Sequence, residues 1–358
     1  MNKNIWFRTD NLGDFIIQSN LVKKVHDLSA KSHTTIVCSK ANAKLISEYA
    51  FVSKIIVYDK KSSFKEKLRA YKEISKNEYT NLFCLDGKSF SYLCSVLVKS
   101  ESKHAVIYKK TKKFLGFFLL NNYKPFFFKC ISNLIFKNIL ILTGKNDLNI
   151  DEHFPSQYSS FVNKILNLKT TPLDLYQFPV NTNYDNTIKA LLNNLSLNEY
   201  VIFHIDEKCS DIHEFKYNNH FFFTKLSEKL NSNILISHHN ADTDAIKNLY
   251  KHFDDLDIHN YNIANYAVNK SKKVLIVKNT NLFEFERLIN YSKLAISCHS
   301  GFMVQVCGAN KSEVLDILNE KDGKWIDHWI PLNTSYKRIF KSLNNKSLNF
   351  DEIIKQIN

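Results

Sequence analysis

Two series of alternating segments constrain what this chain can become. Short apolar runs rich in Ile, Val, Leu and Phe take turns with amphipathic stretches of helical period. In the first series NIWFR (4–8) leads into DFIIQSNLVKKVHDLS (14–29), whose apolar residues at 17, 21, 25 and 28 share one helical face. TTIVC (34–38), KIIVYD (54–59), NLFCLD (81–86) and HAVIY (104–108) continue the strands. ANAKLISEY (41–49), FKEKLRAYKEI (64–74) and SFSYLCSVLV (89–98) read as the helices between them. Strands alternating with helices predict a mainly parallel sheet with helices on both faces. From about 120 to 195 the pattern loosens, and TTPLDLYQFPVNTNYDN (171–186) reads as a connection.

A second series starts at YVIFHID (200–206). HFFFTKLSEKL (220–230), NILISHH (233–239), DTDAIKNLYKHF (242–253), KVLIV (273–277), LFEFERLINYS (282–292) and KLAISCHSG (293–301) follow as helix, strand, helix, strand, helix and strand. FMVQVCGA (302–309) then reads as a helix, EVLDIL (313–318) as a strand and NFDEIIKQIN (349–358) as a last helix. The expected fold class is α/β: two Rossmann-like, doubly wound domains facing a central cleft.

Only seven glycines occur in 358 residues, and three of them follow predicted strands: Gly13, Gly87 and Gly301, with Gly144 as a fourth candidate. Ligands of open α/β sheets bind at such strand ends, and glycine lets backbone approach them. RTDNLGDF (8–15) stands at the first of these turns, where Gly13 is expected to bend the chain and bring Asp14 forward. Neither GxGxxG nor GxxxxGK[ST] nor GxSxG is present, so a dinucleotide site, a P-loop and a serine-hydrolase elbow are unsupported. The histidines, His238 and His239 included, lack metal-ligand spacing, and no metal is expected. DTD (242–244) reads as a helix start.

Seven cysteines without a CxxC pair sit mostly in apolar runs and read as buried free thiols of a reducing compartment. MNKNIWFRTD reads as a strand start and not as a signal peptide, and the longest apolar run (126–142) is broken by Lys129 and Lys137. The expected location is cytoplasmic. Net charge is +14, and all of the excess lies early: residues 1–150 hold 26 Lys and Arg against 11 Asp and Glu, the rest 23 against 24. The densest part is KHAVIYKKTKKFLGFFLL (103–120) with YKPFFFK (123–129). Cations beside aromatics suit an anionic partner, such as a phosphorylated glycolipid or a membrane surface. A nucleic-acid-binding protein is suggested by charge alone and has no recognised module to support it.

RTDNLGDFIIQSNLVKKV (8–25), KIIVYDKK (54–61), YTNLFCLDGKSFSYLCSVLV (79–98) and LFEFERLINYSKLAISCHSGFMVQVCGANKSEVLDIL (282–318) together resemble glycosyltransferase family 9, the heptosyltransferases of lipopolysaccharide core assembly. The likeness spans most of the chain and is weakest over 109–195. Where the family's second motif would place Asp at 299 and His at 304, this chain has His299 and Val304, while Ser300 and Gly301 are retained. That departure points to a divergent branch.

The resemblance implies a GT-B fold, with an acceptor-binding domain over residues 1–180 and a nucleotide-sugar-binding domain over 181–345. A terminal helix, 346–358, would pack back on the first domain. It also implies an inverting, metal-independent transfer from a nucleoside-diphosphate sugar to an anionic glycan or glycolipid at the inner membrane face, with no cofactor and no nucleic-acid partner. Such a transfer needs a base for the acceptor hydroxyl and positive charge for the departing diphosphate. By resemblance Asp14 is the base; its alternative role is to cap helix 14–29. Lys208, His299, Ser300 and Gly301 would bind the donor. Arg8, Asn11, Gly13, Asp86, Lys88, Asp206 and Glu207 would support the site or line the acceptor side. A GT-B relative that binds a nucleotide sugar or glycan without transferring it is the competing expectation, favoured by the altered 299–304 motif.

Overall fold

A computed structural model describes residues 2–59, 62–114, 118–124, 134–143, 152–179, 181–209, 212, 215, 219–238, 244–259, 274–341 and 350–357. The chain forms two compact units, Met1–Pro179 with Lys324–Trp329, and Val180–Gly323 with Ile330–Asn358.

The first unit is built on strands β1 (Asn2–Arg8), β2 (Ser32–Cys38), β3 (Lys54–Val57), β4 (Tyr79–Cys84), β5 (Ser100–Phe114), β6 (Phe118–Lys124) and β7 (Asn138–Thr143). Their order is β3-β2-β1-β4-β5, all parallel; beyond β5, β6 pairs with it antiparallel and β7 parallel. Central strands of a parallel sheet are covered on both faces, so they are apolar throughout instead of alternating. In β1 Ile5, Trp6 and Phe7 are all buried, and Trp6 stacks on Phe83 at 4.0 Å. Ile5 and Phe7 share one core with Ala70, Ile74, Tyr92, Cys94 and Val98, which come from the helices flanking β4.

Helices α1 (Leu12–Ile16), α2 (Ser19–Asp27), α3 (Lys40–Ser47), α4 (Phe64–Ile74), α5 (Ser89–Leu97) and α6 (Phe154–Leu166) complete this unit. The expected single helix 14–29 is broken at Ile17–Gln18, where the Gln18 N–H turns back to the Phe15 carbonyl. The stretch read as a connection holds a short 3-10 turn, Pro172–Asp174. Helix α7 (Thr182–Asn194) starts within that same stretch.

The second unit carries β8 (Tyr200–Ile205), β9 (Asn233–His238), β10 (Asp254–Asp257), β11 (Val274–Lys278), β12 (Leu294–Ser297), β13 (Val314–Leu318) and β14 (Tyr336–Phe340), ordered β10-β11-β9-β8-β12-β13-β14 and parallel throughout. Its helices, after α7, are α8 (Asn219–Leu230), α9 (Asp244–Leu249), α10 (Leu282–Tyr291), α11 (Gly301–Asn310), α12 (Glu320–Asp327) and α13 (Phe350–Ile357).

The terminal helix corrects the expectation that it packs back on the first domain. Ile353 is fully buried in the second unit's core, and Ile354 and Ile357 pack against that core. The apolar stripe of α13 is therefore consumed within its own unit. The segment that does return to the first unit is Lys324–Trp329, where Trp325, His328 and Trp329 surround the Phe154 ring.

Candidate functional site

Each sheet has one place where the chain, having wound outward in one direction, starts again on the other side of its first strand. In the first unit this lies between β1 and β4, and in the second between β8 and β12. Ligands of doubly wound sheets bind outside the carboxyl ends of strands at such a switch point. The residues singled out in the sequence fall at these two places: Arg8 ends β1 and 11–14 follow it, 86–88 follow β4, 206–208 follow β8, and 299–301 follow β12.

At the first switch point Arg8 is 2% exposed and organises the turn. Its guanidinium donates to the Leu85 carbonyl at 3.0 Å and to the Asp14 carbonyl at 2.6 Å, and it pairs with Asp10 at 3.1 Å. The Lys88 ammonium lies 3.3 Å from the other Asp10 oxygen and also donates to the Thr9 carbonyl. Asp86 is buried and turned inward, accepting from the Thr9 hydroxyl (2.7 Å), the Ser91 hydroxyl (2.6 Å) and the Lys88 N–H (3.1 Å). Burial, and then the charge of Asp10, raise its pKa against these donors.

Asn11 is the N-cap of α1 and Asp14 its third residue, so Asp14 is not the cap of a helix over 14–29; its Oδ2 accepts the Asn11 N–H at 3.0 Å. Burial pushes the Asp14 carboxyl up to about 6, and the Asp10 charge adds to it; Arg8, the Asn11 N–H and Lys88 act in the opposite sense. A carboxylate so placed is basic enough to take a proton near neutral pH.

Gly13 does not make the sharp bend expected of it. It is buried inside the short helix, and its carbonyl accepts the Ile17 N–H at 3.2 Å. The glycine that the backbone demands is Gly87, with φ +62°. A Cβ there would meet the Tyr108 ring at 2.7 Å. The Tyr108 hydroxyl in turn lies 2.7 Å from that of the buried Tyr158, whose pKa burial raises to about 12.

At the second switch point the Asp206 carboxylate accepts the Lys208 N–H at 2.9 Å and shapes the 3-10 turn Glu207–Cys209. The Lys208 ammonium donates to the His299 carbonyl at 2.5 Å, so these residues, 91 positions apart, share one site. His299 takes the left-handed conformation, φ +60°. Its Nδ1 is 2.7 Å from Asp316. Ser300 caps α11, accepting the Met303 N–H at 3.4 Å, and the space a Cβ on Gly301 would occupy is open for 4 Å. Val304, where the resembled motif has histidine, is buried in the unit's interior.

Five participants escaped the sequence reading. Asp10 lies within the quoted turn. Tyr108 ends a predicted strand. Asp316 is a lone acid inside the apolar run EVLDIL, a pattern that marks a buried polar partner and so could have been found. Tyr336 and Lys341 belong to β14 and its end; Lys341 is 5% exposed, and its ammonium donates to the Lys208 carbonyl at 2.6 Å.

All six described cysteines are buried free thiols. Gly144, Cys130, His239 and residues 210–211 lie outside the described residues, as do the side chains of the basic run from 110 to 133. Among the described residues no group of three His, Cys, Asp or Glu could hold a metal ion, and no helix is long and apolar enough to cross a membrane.

No family model and no curated protein matches the sequence. Solved structures do match over the full length. A family 9 glycosyl transferase of Veillonella parvula superposes with TM-score 0.70 at 11% identity, over 99% of this chain and 96% of its own. An E. coli ADP-heptose lipopolysaccharide heptosyltransferase II gives 0.64 at 12% identity, over 100% and 98%. A UDP-GlcNAc 2-epimerase of Methanocaldococcus jannaschii gives 0.53 at 12% identity, over 100% and 92%. The chain therefore has the α/β GT-B architecture of the family 9 glycosyltransferases that it resembles.

Proposed function

We propose that this chain is an inverting, metal-independent glycosyltransferase. Its donor is a nucleoside-diphosphate sugar, a heptose or a relative of it. Its acceptor is a hydroxyl of a bacterial surface glycan such as lipopolysaccharide core or capsule. The observation that carries this is Asp14: a carboxyl at the first switch point, raised to about 6 and held by the Asn11 N–H, on a residue whose backbone carbonyl Arg8 binds.

As the acceptor oxygen attacks C1 of the donor sugar, Asp14 takes its proton. The C1–O bond to the diphosphate breaks, and the electron pair leaves with the diphosphate. Attack opposite the leaving group inverts C1. In the second unit Lys208, His299 and the opening of α11 at Ser300 and Gly301 offer positive charge and N–H donors to that diphosphate. The excess of cations in the first 150 residues suits an anionic acceptor and work at the inner face of the cytoplasmic membrane. The heptosyltransferase among the structural neighbours supports the choice of donor. Fold alone does not make that choice, since an epimerase shares it.

The test is Asp14→Asn, assayed for transfer from ADP-heptose and other sugar nucleotides. Turnover is expected to fall about 10²–10⁴-fold with donor affinity kept. Undiminished turnover overturns Asp14 as the base. His299 and Val304 favour a second reading, in which the chain binds a nucleotide sugar or glycan without transferring it. Nucleotide binding with no transfer to any glycan acceptor by the unaltered protein decides for that one.

A further inference from the structure

The second switch point contains a charge arrangement that the proposed reaction has not yet used. Asp316, on β13, stands in register with Ser297 of β12 and is 0% exposed. One of its oxygens accepts the Tyr336 hydroxyl at 2.9 Å and lies 2.7 Å from His299 Nδ1. Its other oxygen is buried without a hydrogen-bond partner. A buried carboxylate with half of its acceptor capacity unmet favours a positive neighbour.

The bond to Asp316 assigns a proton to Nδ1 and leaves Nε2 as the ring nitrogen available to a ligand, on a side chain 29% exposed. The backbone at His299 is in the left-handed conformation. A non-glycine residue keeps such a conformation only where the surroundings impose it. Further charged side chains are tied to the backbone of this residue and of its neighbour Lys208. The Lys208 ammonium is bonded to the His299 carbonyl, Lys341 to the Lys208 carbonyl, and Asp206 to the Lys208 N–H. The N-terminus of α11 begins two residues on.

We infer that His299 meets the donor as a cation: Nε2–H donates to the phosphoryl oxygen that leaves the sugar, and binding of a nucleoside diphosphate draws one proton onto His299. Asp316 and Tyr336 are positioning residues that hold the ring for this contact. The diphosphate supplies the negative charge that the imidazolium meets. As C1–O breaks, the electron pair passes to an oxygen already hydrogen-bonded by Nε2–H. Where the resembled motif has a carboxylate at position 299, this chain places an imidazole in front and its carboxylate behind, on the neighbouring strand. This inference rests on the second unit being the donor site.

Isothermal titration of the full chain with ADP, UDP and GDP, in two buffers of different ionisation enthalpy near pH 7, tests it. For the nucleotide that binds, uptake of up to about one proton is expected. His299→Gln should abolish the uptake, and Lys208→Ala should weaken binding about tenfold while keeping it. Tyr336→Phe, which removes one bond to Asp316 and no charge, should reduce the uptake without loss of fold. Binding with no linked proton, or uptake unchanged in His299→Gln, overturns the inference and leaves the donor site standing. Binding of none of the three nucleotides overturns both.

Discussion

Asp14 shows at the level of one residue how function and stability oppose each other. An unfolded aspartate titrates near 3.9, and in the fold this one is held at about 6. The folded state therefore binds the proton more tightly. The stability that this gives is complete below the unfolded value and is lost as pH rises through about 6. Above that, the ionised carboxylate costs the fold on the order of 1–3 kcal/mol. Asp14→Asn keeps an acceptor for the Asn11 N–H and removes the charge. Its melting temperature should exceed that of the unaltered protein by a few degrees at pH 8 and match it at pH 4; equal values at both would show that Asp14 stores no such cost. The same titration predicts that transfer slows as pH falls through about 6. The Gly-Asp pair at the end of the first strand was legible in the sequence. What raises Asp14 beyond burial is Asp10, four residues earlier, and no spacing rule shows that Asp10 bridges Arg8 and Lys88 beside it.

At the level of elements, burial decided what could be read. Buried parallel strands are apolar on both faces and stand out; edge strands carry charge, which hides them. Both edges of the second sheet were missed for that reason: β10 reads DDLD, and β14 reads YKRIF. Missing β14 also hid Tyr336 and Lys341. The break between α1 and α2 was invisible because the apolar period runs on through it. Turn geometry was half legible: a glycine after a strand marked Gly13 and Gly87 alike, yet only Gly87 has a positive φ. Gly87→Ala places a methyl against the Tyr108 ring in a strained conformation. It should cost about 1–3 kcal/mol, read as a lower urea midpoint at unchanged slope. An unshifted midpoint would mean that the β4–α5 turn relaxes freely.

For the whole molecule, the two-series alternation announced two α/β units, and the structure has one mainly parallel and one parallel sheet. The early excess of cations was equally plain. The path of the chain between the units was not, because nothing in the helical pattern of EKDGKWID tells that its second half belongs elsewhere. Phe154 is fully buried, ringed by Trp325, His328 and Trp329. Phe154→Ala in the full chain should lose about 3–5 kcal/mol, seen as a lower melting point and weakened near-ultraviolet dichroism of the two tryptophans. A small loss would show that these rings contribute little to the first unit. The returning segment also has a consequence for recombination. Because six residues near the end of the chain belong to the first unit, no single crossover can trade one unit between relatives as a cassette. A chimera cut only at 179 would carry a foreign tryptophan pair into a native aromatic nest, so each exchange must be stitched at three points, and drift in Phe154 must be matched some 170 positions away.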